Sequence, residues 1–425
     1  MANSEVPNPP PPGGFKAWGV WLIAVTFVVL YFSFQTGYSI VNASVQEDVG
    51  LSIAQVGLIA ALYTWVFAIC QFLSGPLLDR LGARKVLLPA ITLVTMGIFL
   101  FAHASRFELL LLSQVFIALG ACTGFVGAGY VGGTWFGWAK FSFMFGLVQF
   151  AASLFSAFNQ NLLSWGLTTW EWRDLFSLVA GLGVVLFVFA VIWLRDPAPV
   201  VVQGARGMGP FFSEVARSMG RVAKFRAVWV AAAFGALCFG VMLALGVVWG
   251  PKLLLVRGIE PGTANLASSL LWFGLAAGCF IAPWISDRLA KRKLPILVGL
   301  AIQFAALALL VYAPVLSPLL ATALCFAFGF GNSVHMLAFS SAADVVEPRY
   351  IGTSAAIVNG LMFIIGGIMI SRPGLRAGMG LAEGLTPASL ELAQFASRPL
   401  VLAIIASFMI ALFMRETHPG RPSRG

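Results

Sequence analysis

The sequence predicts an all-α membrane protein with twelve transmembrane helices arranged as two pseudo-symmetric bundles of six, and three observations predict it. Of the 425 residues, 60% are hydrophobic and only 10% are charged, whereas an ordinary soluble domain carries about a quarter charged residues. Apolar runs of about 20 residues, long enough to cross a bilayer core of about 30 Å, recur along nearly the whole chain, and the mean hydropathy is +0.92. A charged loop after the second run returns 208 residues later. This composition excludes a soluble enzyme. The net charge of +10 would point to nucleic acid on a soluble protein, but here the basic residues sit between apolar runs, so they report topology and no nucleic-acid partner is expected.

Residues 1–17 are expected to form a disordered cytoplasmic tail, because Met1 to Phe15 is rich in Pro and Gly with Glu5 as its one charge. That stretch lacks the basic start of a signal peptide. An N-terminal six-helix bundle is predicted over 18–194, with spans near 18–41, 53–78, 86–104, 107–135, 141–165 and 173–194. A C-terminal bundle over 227–414 follows, with spans near 227–250, 262–286, 294–313, 317–342, 352–371 and 397–414, and then a tail over 415–425. Between the bundles, 195–226 reads as a cytoplasmic linker. In it Phe211, Phe212, Val215, Met219 and Val222 recur at helical spacing while Arg217, Arg221 and Lys224 take other faces, the pattern of an interfacial helix on an anionic leaflet. With both termini inside, nineteen Lys and Arg fall in inner segments against seven in outer ones, so the bias of positive charge places both termini in the cytoplasm of a multi-pass protein of a bacterial inner membrane or one derived from it. The outer segment 373–396 is longer than a minimal turn and is expected to cap a cavity.

After the second span comes Gly75-Pro76-Leu77-Leu78-Asp79-Arg80-Leu81-Gly82-Ala83-Arg84-Lys85. Gly75 permits close helix approach, Gly82 permits a sharp turn, and Asp79 has Arg80, Arg84 or a neighbouring helix end as partners. The stretch resembles the loop signature G-x-x-x-D-R-x-G-x-R-K of the major facilitator superfamily at every defining position. Its repeat supplies Asp287, Arg288, Arg292 and Lys293, with Pro283 and Ala290 replacing the two glycines, which predicts a looser second turn. The resemblance covers roughly 15–416 and implies the major facilitator fold, with gating charges Asp79, Arg80, Arg84 and Lys85 in one half and the repeated set in the other. Trp172-Arg173-Asp174 is similar to the family's G-W-R element without its Gly. Two patterns linked to proton-coupled drug export are absent: Phe116 stands where the fourth span's Arg is expected, and the fifth span lacks G-x-x-x-G-P-x-x-G-G.

No Asp or Glu falls mid-span, so no carboxylate proton relay is visible. The polar residues at depth are Gln35, Tyr38, Gln114, Tyr130, Gln149, Asn159, Gln160, Asn161, Gln303, Asn332, His335 and Asn359. Because spans 1, 4, 7 and 10 line the cavity in the family and span 5 contributes, the resemblance selects Gln35, Tyr38, Tyr130, Asn159, Asn332 and His335 as substrate-binding candidates. His335 is the one histidine within a span, and so the candidate for titration or metal ligation; Met336 beside it points about 100° away around the helix. The six glycines of Gly120 to Gly133 lack the Lys-Ser/Thr of a phosphate loop and read as packing and bending sites. Five cysteines in apolar runs, with no CxxC pair, read as small buried hydrophobes. No nucleophile–base pair or cofactor motif is present, which argues against an enzyme and for no cofactor.

The reading is a monomeric secondary transporter that moves a small polar solute, an organic anion or similar metabolite, by alternating access, with a proton or sodium as coupling ion. A second reading is an iron or iron-chelate permease, prompted by overall similarity to the major facilitator permeases of magnetosome membranes. A third is a non-transporting sensor or scaffold on the same fold.

Overall fold

In hydrocarbon there is no water to satisfy the backbone, so each apolar run closes its own hydrogen bonds as a helix. The structure, a computed structural model, describes residues 13–51, 53–197 and 208–420. Among the described residues there is no strand, and twelve stretches are long and apolar enough to cross a membrane. The first six are α1 (Gly14–Val49), α2 (Ile53–Leu81), α3 (Ala83–Ala102), the pair α4 (Phe107–Ala121) and α5 (Gly124–Phe136), α6 (Phe141–Gly166) and α7 (Trp172–Trp193). The short helix α8 (Met208–Val222) precedes the second six. These are α9 (Arg226–Ala244) with α10 (Gly250–Val256), α11 (Pro261–Leu289), α12 (Lys293–Tyr312), α13 (Pro318–Asn332) with α14 (Met336–Ala343), α15 (Ile351–Ala382) and α16 (Leu390–Leu412).

Local chemistry sets several boundaries. Glu260 accepts the amides of Gly262 and Thr263 ahead of Pro261, and Ser317 accepts that of Leu320 ahead of Pro318, so an acceptor and a proline at the first helical position open α11 and α13. Three spans are interrupted at depth: the fourth between α4 and α5, the seventh by a π turn over Leu245–Trp249, and the tenth by a 3₁₀ turn over Ser333–His335. Such breaks in membrane helices are tolerated where protein or a cavity covers them.

Some boundaries differ from expectation. Helix α1 opens at Gly14, four residues before the predicted start of span 1 at 18. Segment 373–396 does not form a loop cap: α15 continues to Ala382 and α16 begins at Leu390, leaving 383–389 as the connection. Its one arginine is absorbed by packing, since Arg376 donates to the Phe395 carbonyl and stacks on that ring at 4.1 Å, where Arg398 of α16 joins it at 5.2 Å. In α8, Val215 and Val222 are buried and Arg221 donates to the Tyr350 hydroxyl at 2.6 Å, so one face lies on the protein body, while Phe212 and Arg217 are exposed. Arg206, the tail after Gly420 and the side chain of Phe211 lie outside the described residues.

Within each half, backbones approach at small residues. A Cβ on Gly274 of α11 would run into the Phe326 carbonyl of α13, and one on Gly329 of α13 into that of Leu271. Gly329→Ala is therefore expected to destabilise the second half by about 1–3 kcal/mol, the usual cost of overpacking, seen as a lower unfolding midpoint in detergent; an unchanged midpoint would contradict this contact. The halves meet chiefly where α2 packs on α15 and α6 on α11.

Candidate functional site

The end of the bundle that carries the charged loops is closed. Gly82 holds φ 80° and ψ 165°, a region essentially reserved for glycine, and this lets one residue join α2 to α3. The Asp79 carboxylate, at the end of α2, accepts the amides of Gly352 (3.1 Å) and Thr353 (2.9 Å) and the Thr353 hydroxyl (2.8 Å). These bonds cross from one half to the first turn of α15 in the other, where unpaired amides and the helix dipole favour an anion. One turn earlier, a Cβ on Gly75 would run into the Gly352 carbonyl, so the glycine is what permits the contact.

Arg84 of this loop works within its own half. Arg84 donates to the carbonyls of Leu194 and Val191 at the end of α7, while Asp196 accepts the amides of Ala83 (2.8 Å) and Arg84 (3.3 Å) at the start of α3. Burial pushes the Asp196 carboxyl up, against the pull of those amides and of the Lys85 and Arg84 charges. Lys85 itself is exposed.

The repeated loop is built differently. Ala290 takes φ 49° and ψ 44°, and three residues rather than one join α11 to α12, because alanine cannot adopt the Gly82 conformation. Asp287 pairs with Arg292 (2.5 Å), which also binds Asp344 (2.9 Å) and the Ser286 hydroxyl (3.0 Å). Lys293 donates to the Leu412 carbonyl at 2.6 Å, mirroring Arg84, and Arg288 stacks on Trp284 at 5.4 Å. Glu416 caps α12 through the amides of Arg292 (2.7 Å) and Lys293 (3.3 Å). Burial raises that carboxyl, but the amides of Arg292, His418, Lys293 and Thr417 outweigh it and hold it below its ordinary value. These bonds of the second loop stay in its own half. Across the halves at this end, Ser340 donates to Ser142 at 2.7 Å.

Deeper in, Asn359 of α15 donates to Gln71 of α2 at 2.9 Å, and Gln71 donates to Ser74 at 2.7 Å. Phe67 meets Phe363 across the halves at 4.3 Å, and Phe125 meets Phe339 at 5.7 Å. Between these contacts lies a small pocket with room for about one water molecule. The first half lines it with Tyr31, Phe32, Phe67, Phe125 and Gln149, the second with Phe239, His335, Phe339, Asn359, Met362 and Phe363. Seven of the eleven are Tyr or Phe, and among the described lining residues none is Asp, Glu, Lys or Arg.

Of the six substrate-binding candidates, the structure brings His335 to this cavity. Its ring stacks on Phe239 at 4.5 Å, and Nδ1 donates to the Asn332 carbonyl at 2.9 Å, which leaves Nε2 as the acceptor. The other five lie elsewhere. Tyr38 donates to the Val56 carbonyl (2.9 Å), and Asn159 to the Ser33 carbonyl (2.9 Å) and Thr36 hydroxyl (3.2 Å), so both tie α1 to its neighbours. Asn332 donates to the Cys238 carbonyl (2.8 Å). Tyr130 sits edge-on to Trp138 (5.8 Å) toward the Asp79 end, and Gln35 is half-buried outside the cavity lining. The side chains of Gln160 and Asn161 lie outside the described residues. Tyr31 and the phenylalanines escape the sequence reading because an aromatic in an apolar run carries no polar signal; Asn359 carries that signal but sits in span 11, outside the spans the resemblance selects, and Gln149 of span 5 carries it without being selected.

Two helical halves closed at one end around a central pocket fit the architecture of a membrane transporter. The family profile described as Major Facilitator Superfamily matches residues 23–371, and the chain belongs to that superfamily. Relatives include the D-galactonate transporter of Escherichia coli O6:H1, 21% identical over 83% of this chain and 87% of that protein. The probable galactarate/D-glucarate transporter GudP of E. coli K12 is 20% identical over 80% of this chain and 82% of its own length. The probable nitrate/nitrite transporter NarK2 of Mycobacterium tuberculosis H37Rv is 26% identical over 65% and 67%. In structure, the E. coli fucose:proton symporter FucP matches with a TM-score of 0.68 at 17% identity, covering 94% of this chain and all of that one.

Proposed function

We propose that this chain is a secondary transporter that carries a small organic acid by alternating access, with the Asp79 end facing the cytoplasm. The pocket between the halves carries the reading: both halves line it, so a solute that binds as it widens touches both and passes when they rock. The acid class is supported by relatives named for galactonate, galactarate, glucarate and nitrate, all anions. Those names give the iron reading no support. The orientation rests on the bias of positive charge toward this end.

The wall refines the class. A polyhydroxylated acid loses a hydrogen bond to water for every hydroxyl it buries, and mostly aromatic surface returns few of them. The cargo is therefore a compact acid with an apolar body, such as a short monocarboxylate. Counterflow in proteoliposomes with lactate, benzoate and D-galactonate tests this. Lactate or benzoate should exchange faster than galactonate; preference for galactonate would overturn the apolar body, and exchange of no acid would overturn the acid class. Counterflow also separates a transporter from a sensor or scaffold.

The driving ion in this reading is a proton, since His335 is the one acid–base side chain with an ordinary pKa of about 6.5 among the described cavity residues. His335→Gln keeps hydrogen bonding and abolishes titration, so any pH dependence of uptake that runs through this ring should be lost. An unchanged profile would remove His335 from the coupling route.

A further inference from the structure

Of the polar side chains that line the pocket, Gln149 donates to Ser153 on its own helix and His335 to the Asn332 carbonyl in its own half, whereas Asn359 donates to Gln71 in the opposite half at 2.9 Å. Neighbouring bonds fix the direction of that last one. The Ser74 hydroxyl spends its single proton on the Gln71 carbonyl at 2.7 Å, so toward the Gln71 side chain, also 2.7 Å away, it can only accept. Gln71 therefore turns its NH₂ group to Ser74 and its Oε1 to Asn359, and Asn359 must be the donor. Gln71 is the one hydrogen-bond partner of the Asn359 side chain among the described residues. Both amides are buried, 0% and 3% exposed. Aromatic rings wall them in: Phe67 meets Phe363 one turn along each helix at 4.3 Å, and the Phe72 ring stands 2.9 Å from where a Cβ on Gly360 would be.

We propose that Asn359 is a cargo-binding residue whose donor Gln71 occupies while the pocket is empty, and that a carboxylate oxygen of the cargo takes the place of Gln71 Oε1. This rests on the organic-acid reading and names the residue that meets the acid. The pocket has room for about one water molecule, so cargo enters only as the seam between α2 and α15 widens. Widening draws Gln71 away from Asn359. The released N–H is then a donor in mostly aromatic surroundings, costly until an oxygen accepts from it, and a carboxylate offers acceptors alone. The exchange also removes a bond from the same seam that Gly75 and Asp79 hold closed nearer the end of α2. The two partners thus act on affinity in opposite directions. Without the Gln71 oxygen the Asn359 donor is unpaired in the empty protein and cargo binding gains; without Asn359 the cargo loses its donor.

Binding of lactate, acetate and benzoate is measured on full-length protein in nanodiscs for wild type, Gln71→Met and Asn359→Leu, with size-exclusion profiles to verify folding. Both replacements stay close to the native side-chain size and remove the amide; Gln71→Leu and Asn359→Ala repeat the two arms where a first variant does not fold. The acid that wild type binds best should bind about two- to tenfold tighter to Gln71→Met and about two- to tenfold more weakly to Asn359→Leu, the effect of one hydrogen bond in each case. A pair that only joins the helices would shift both variants the same way. Wild-type affinity in either variant, or shifts of the same sign in both, would overturn the exchange and leave the acid reading standing. Binding of none of the three acids by wild type would overturn both.

Discussion

Asp79→Asn should cut transport by at least about tenfold while the protein still reaches the membrane at its normal level. The carboxylate accepts three hydrogen bonds from Gly352 and Thr353 across the halves. An amide in its place keeps one acceptor oxygen and turns an NH₂ group toward the remaining donors, so attraction becomes repulsion as the charge is lost. Losing one such charge-assisted bond costs about 1.5–3 kcal/mol, and a shift of that size moves the balance between closed and open latch by roughly 10- to 100-fold. Asp287→Asn should do less, because Asp287 pairs inside its own half and Arg292 retains Asp344. Wild-type rates for Asp79→Asn, or an equal loss for Asp287→Asn, would contradict the assignment of the latch to the first loop.

Gly75→Val should have an effect as large, by a steric route. The Gly75 position faces the Gly352 carbonyl and the Thr353 Cα with no room for a Cβ. Because a packed backbone cannot give way as a flexible side chain can, α2 and α15 must separate, which also pulls Asp79 off the α15 amides. Transport should collapse, and a cysteine placed at Thr353 should become more reactive to a water-soluble thiol reagent. Reactivity no greater than in the Gly75 protein, together with retained transport, would show that the close approach is not needed.

The fold was readable in the sequence because a membrane forces hydrophobicity into runs, and the twelve runs coincide with the twelve long apolar helices. Their ends were less legible. Arg372 and Arg376 read as loop charges, yet they lie in the long helix α15, with Arg376 on Phe395. The Gly75–Lys85 motif pointed to a charged latch and offered Asp79 three kinds of partner; that the partner is the start of α15 depends on tertiary packing, which no local pattern encodes. The cavity was least legible. Amides and tyrosines at depth mark buried hydrogen bonds as readily as binding sites, and Asn159, Asn332 and Tyr38 serve helix contacts. Phe67 and Phe363 look the same in sequence as any lipid-facing phenylalanine, and only the fold shows that they face one another across the halves.

In alternating access the closed end must open for cargo to pass. Ser142 and Ser340 join the halves there with hydroxyl oxygens 2.7 Å apart, close to the reach of a disulfide. With the five native cysteines replaced, a Ser142→Cys, Ser340→Cys pair can be oxidised in proteoliposomes and counterflow measured before oxidation, after it, and after reduction. Transport should stop on oxidation and return on reduction, while each single cysteine variant is unaffected. Full transport through completely cross-linked protein would contradict alternating access through this end.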